Sequence, residues 1–190
     1  MEWRSARLRE FEIIGEPVMD ISTASGALII SLLRLLHIVA GLIWVGAALL
    51  MSFYIEPMAG SPGAEGGRFL RALYSKTHFP RLIPLSALVA TIAGLLLYGL
   101  LAYHEAMSSA MGVILTLGAL FGLLAFGHGY FTVWRRSGHY ARLVKAAKAD
   151  EGTLGQIEDK MRRNGRVSFW LALVSLVLMA GARYAGPIFA

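Results

Sequence analysis

His37 lies in residues 28–54, a stretch whose only other ionisable side chains are Arg34 and Tyr54. An ionisable group in a span this apolar is costly in a bilayer. It therefore faces a protein interior and marks a cofactor, ion or proton site. A second histidine, His128, lies in another apolar stretch, residues 112–133. Imidazoles on two separate membrane helices are the raw material of a membrane haem site. Around the first of them, His37, Gly41, Trp44 and Ala48 recur at i, i+4, i+7 and i+11 and so share one helical face. Gly41 and Ala48 leave room there for a flat macrocycle or for another helix. Arg34 is one turn away on the same side, where an arginine can pair with a haem propionate. The competing reading is that the small residues pack helices and Arg34 snorkels to the interface.

His128 sits between Gly127 and Gly129, beside a ridge made by Gly118, Gly122, Ala125 and Gly129. Close helix packing explains that ridge on its own. Phe121, Leu124 and Ala125 lie on the histidine's side one and two turns away. As a ligand His128 would be an axial imidazole. Otherwise it is a histidine hydrogen-bonded across the bundle. At 1.5 Å per residue, His37 is roughly 15 Å and His128 roughly 24 Å from the same end of the bundle. The offset of about 9 Å is awkward for one iron, although span boundaries uncertain by three residues shift each depth by about 4.5 Å. His37 with His104, and His78 with His128, are alternative pairings that would make a two-haem relay. His139, in a basic solvated helix, is not read as a ligand. Glu56 is either a proton-transfer group or a plain interfacial carboxylate. His104, Met107 and Met111 are a loose cluster of the soft donors that hold Cu(I). No nucleophile–base–acid set, phosphate loop or nucleotide fingerprint is present.

The elements that must position these groups are membrane helices. Of 190 residues, 56% are hydrophobic and 16% charged, against about 25% charged in soluble domains. Glycine is abundant, as membrane helix packing favours. There is no cysteine, which excludes disulfides, thiolate metal sites, iron–sulfur clusters and covalent haem attachment. The expected fold is an all-α integral membrane bundle with spans near 27–55, 82–103, 112–134 and 167–186. Pro57 helps to end the first, and Pro84 is tolerable early in the second. Arg183 and Tyr184 stand where an interfacial anchor would. Residues 1–26 read as an N-terminal interfacial segment with Trp3, Leu8, Phe11, Ile13 and Ile14 on its apolar side. Its glutamates and lack of a suitable apolar run argue against a cleavable leader. The four-helix domain occupies residues 27–190.

The net charge of +6 reflects topology rather than nucleic-acid binding. Residues 135–166 are rich in lysine and arginine, and residues 104–111 have none. The positive-inside rule places the former in the cytoplasm and both termini outside, in a bacterial-type inner membrane. The third helix is expected to run past the membrane to about residue 149, with Gly152 and Gly155 then breaking it.

The run Leu36-His37-Ile38-x-x-Gly41-x-x-Trp44-x-Gly46 resembles the first helix of several small membrane families. They are the four-helix bacterial protoporphyrinogen oxidases, the membrane domain of bacterial urate oxidases and the copper-resistance D-like proteins. Ala125-Phe126-Gly127-His128-Gly129-Tyr130, followed by Trp134-Arg135-Arg136, is similar to the oxidase helix in which a histidine precedes a basic exit. Arg162-Arg163-Asn164 is similar in placement too. Where the oxidases carry Asn-Glu-x-Pro, this chain has Asn164-Gly165-Arg166-Val167. The resemblance implies haem b binding, with His37 and His128 as the carried-over positions. The expected role is electron transfer with a quinone or a partner redox subunit, in a monomer or a homo-oligomer. The rivals are a protoporphyrinogen oxidase, a copper transporter and a cofactor-free subunit of a membrane complex.

Overall fold

The computed structural model describes residues 23–59, 64–102, 109–146 and 149–185. Residues 1–22 of the proposed interfacial segment, His104 and Met107 lie outside them, and residues 24–26 of that segment already belong to the first helix. The described residues form an all-α bundle of α1 (Ala24–Leu50), α2 (Ala64–Lys76), α3 (Phe79–Leu97), α4 (Ala110–Gly129), α5 (Arg135–Ala146) and α6 (Glu151–Gly181). With their terminal turns, four helices are long and apolar enough to cross a membrane: Ala24–Ala59, Phe79–Leu101, Ala110–Ala146 and Glu151–Tyr184. Large apolar side chains such as Leu42, Leu85, Phe131 and Val177 cover the outside of the bundle, as lipid requires.

Side chains close the starts of three of these helices by accepting from otherwise unpaired backbone N–H groups. Thr23 accepts from Gly26, Ser109 from Gly112 and Asp150 from Thr153. The Thr153 backbone N–H and hydroxyl hold the Asp150 carboxyl below the usual carboxylate range. α3 begins with Pro80 at a position where its missing N–H loses nothing.

Three spans widen into a π turn, at Met51–Ile55, Tyr98–Ala102 and Tyr130–Trp134. After the first, the Glu56 N–H reaches back to the Met51 carbonyl. Pro57 follows directly and would clash with the carbonyl four residues earlier in an ordinary α-helix. The wider turn relieves that conflict, and the helix continues to Ala59.

The long helices pair mainly in sequence order, α1 on α3 and α4 on α6, with lighter contact between the pairs. The glycine ridge expected in the third span makes the second pair. A Cβ at Gly118 would stand 2.8 Å from Met179 Cγ, and one at Gly122 would stand 3.1 Å from Ser175 Oγ. Ser175 Oγ donates to the Gly118 carbonyl at 2.7 Å across the same contact.

One sequence expectation is corrected. Gly152 and Gly155 do not break a helix but lie inside α6, which starts at Glu151. Capping by Asp150 and burial of Leu154 and Met161 outweigh the roughly 1 kcal/mol that each glycine costs a helix. The glycine-rich linker after the first span also contains α2, whose Leu70 and Tyr74 are buried. With Met51, Tyr140, Leu154 and Met161 they form a second core at the arginine-rich end of the bundle. Arg71 of α2 is tied to Glu151 of α6 at 2.7 Å. The continuation of the third helix past the membrane is present as α5.

Candidate functional site

Between the two helix pairs lies a cavity of about 410 Å³. Arg34, His37, Gly41 and Trp44 all line it, whereas Ala48, expected on the same face, does not. α3, α4 and α6 supply the remaining walls, mostly with leucine, alanine and glycine.

His37 is half-buried, and its Nδ1 lies 2.7 Å from the Ala90 carbonyl oxygen of α3. A carbonyl can only accept, so Nδ1 carries the proton and the lone pair belongs to Nε2. The ring also rests on Gly94, where a Cβ would stand 2.7 Å from His37 Cε1. A carbonyl partner on one ring nitrogen is the arrangement that fixes tautomer and orientation in metal-binding histidines. At Gly41 a Cβ would meet nothing within 4 Å, which leaves space beside the imidazole.

The hydroxyls on the wall are already engaged. Thr91 donates to the Ala87 carbonyl at 2.8 Å and Ser175 to the Gly118 carbonyl. Thr116 gives its proton to the Gly112 carbonyl, so Tyr98 donates to Thr116 Oγ1 at 2.8 Å. The polar groups left to a ligand are the Arg34 guanidinium, His37 Nε2 and the Trp44 indole N–H. Arg34 has no carboxylate partner among the described residues.

His128 is not brought to this cavity. The α4 wall residue nearest the arginine-rich end is Leu123, and His128 follows five residues, about 7.5 Å, further along. Its Nδ1 is paired with Ser168 Oγ of α6 at 2.8 Å. That bond engages Nδ1 alone, so what keeps His128 from the cavity is its position along α4. His78 is exposed at the start of α3, and His139 is exposed on α5. Met111 lines the cavity. Among the described residues no group of three or more His, Asp or Glu could hold a bare metal ion.

Glu56 is buried at the arginine-rich end, and its Oε2 has no hydrogen-bond partner among the described residues. It shares a small pocket of about 110 Å³ with Tyr74, Glu158, Asp159 and Arg162. Glu158 accepts from the Tyr140 hydroxyl, and Arg162 donates to Asp159. Burial pushes the Tyr74 phenol up, and the Glu56 and Glu158 charges add to the shift.

Sequence reasoning missed Ala90, Gly94, Tyr98 and Met179. The spacing Ala90-x-x-x-Gly94 is a small-residue step that marks close approach by another helix. It does not say that a histidine is what approaches. The chain matches no known protein family, no curated protein and no solved structure.

Proposed function

We propose that the protein binds haem b in the cavity between its helix pairs and passes electrons within the membrane, exchanging them with a quinone or a partner redox subunit. The observation that carries this reading is His37, held by Ala90 with Nε2 left free on the wall of an apolar cavity. The residues fit the group. The volume is within the roughly 300–1,000 Å³ of cofactor and ligand sites. His37 would hold the iron through Nε2, Arg34 would meet a propionate, and Gly41 and Gly94 would keep the space beside the imidazole clear. When bound, the haem supplies one-electron redox chemistry, while the chain supplies ligand, charge and dryness. The arginine-rich end is assigned to the cytoplasm and both termini to the outside by the positive-inside rule. The likeness of the first span to the small haem-protein families above points the same way.

Optical spectra of the protein purified from haem-replete cells, oxidised and reduced, test this. A Soret band that His37→Ala abolishes is the expected result. Wild-type protein with no Soret band overturns the reading, and turnover of protoporphyrinogen in isolation moves it to the oxidase. In a potentiometric titration Arg34→Met should shift the midpoint negative, because a nearby cation favours reduced iron. An unshifted midpoint at full occupancy leaves Arg34 as a snorkelling residue.

A further inference from the structure

We infer that Met179 of α6 supplies the second axial donor opposite His37, making an imidazole–thioether pair; this rests on the haem reading above. Protein ligands to haem iron are histidine, cysteine, methionine and tyrosine. The chain has no cysteine. Of the described residues on the cavity wall, only His37, Tyr98, Met111 and Met179 belong to those types. His128, the other imidazole on the long helices α1, α3, α4 and α6, lies below the wall. The Tyr98 hydroxyl is held by Thr116 on the neighbouring helix. That leaves two thioethers.

Met111 is the second residue of α4, at the rim, and is 46% exposed. Met179 is half-buried and seated on Gly118, where any larger residue would displace it. Its sulfur has only a long contact, 4.0 Å, to Ser175 Oγ, whose proton already goes to Gly118. The sulfur lone pairs are therefore not engaged by a strong donor. His37 and Met179 line the same cavity, one from each helix pair. A thioether opposite imidazole raises the potential relative to two imidazoles. Such a site would suit an acceptor of electrons from a quinol.

Met179→Leu keeps the apolar volume and removes the sulfur. Wild-type haem should be low-spin by electron paramagnetic resonance. Met179→Leu should retain haem, turn high-spin, bind added imidazole without displacing a ligand, and show a more negative midpoint. Met111→Leu should change none of these, and Met179→His should restore a low-spin signal at a midpoint below wild type. A wild-type haem that is high-spin overturns the inference. So does a Met179→Leu protein with unchanged spin state and midpoint, or a Met111→Leu protein that makes the change instead. In each case a Soret band lost in His37→Ala shows that the haem reading stands. Wild-type protein without any Soret band overturns both.

Discussion

The Ala90 carbonyl accepts from His37 Nδ1 at 2.7 Å, and Gly94, one turn on, leaves the imidazole its place. Together they decide which nitrogen is available and where it stands. A methyl at position 94 would lie 2.7 Å from Cε1 and 2.9 Å from Nδ1, so the ring must turn or α1 and α3 must separate. An off-rotamer ring costs about 0.5–1.5 kcal/mol, up to about tenfold in affinity. If haem fills the cavity as proposed, Gly94→Ala should lower its affinity by about that factor in a haem titration of the haem-free protein. Gly99→Ala, with nothing within 4 Å of its Cβ, should not change it. At this scale the sequence was legible where one helix sufficed. Arg34, His37, Gly41 and Trp44 share a face because of spacing within a single helix, and that face does meet the cavity. The carbonyl that holds His37 was hidden because every residue has one. The separation of His128 from His37 was hidden too, because it depends on how far one helix pair slides along the other.

Two kinds of glycine occur in the long helices. Gly155 is in α6 with open space around its Cβ, whereas Gly118 is pressed against Met179. Gly155→Ala should stabilise the protein by roughly 0.5–1 kcal/mol by removing backbone freedom from the unfolded chain. Gly118→Ala should destabilise it by about 1–3 kcal/mol through overpacking. Thermal unfolding in detergent followed by circular dichroism reads both, and equal shifts would mean that Gly118 is not pressed against Met179. The same contrast explains what was legible about the elements. Glycine in sequence signals either a close contact or a break. The ridge in the third span signals contact because its spacing repeats along one face. Gly152 and Gly155 look like a break in the sequence because their compensation, the Asp150 cap and the burial of Leu154 against the residues of α2 and α5, lies partly in other elements. The π turns left no pattern that a period of 3.6 residues could expose.

For the molecule as a whole, four alternating spans put Thr23 and Tyr184 at the end opposite α2 and α5. The chain has no cysteine, so one introduced thiol gives an unambiguous label. Lys145 is exposed and charged at the arginine-rich end, and Ser25 is exposed at the other, whereas Ser137 is buried and unsuitable. In intact cells Ser25→Cys should react with a membrane-impermeant maleimide, and Lys145→Cys should react only after permeabilisation. The reverse pattern would invert the topology. The bundle architecture was readable from four long apolar runs. The second core at the arginine-rich end was not, because short amphipathic α2 gains its stability from α5 and α6 rather than from its own sequence. The pairing of α1 with α3 and of α4 with α6 also bears on biogenesis. Each pair is a hairpin of consecutive spans that the insertion machinery can release into lipid as a unit, with its small-residue contacts already made. Neither hairpin encloses the cavity alone. The pocket therefore has all four walls only when the second hairpin leaves the translocon and finds the first, so anything that binds there meets a finished site only after α6 has been made.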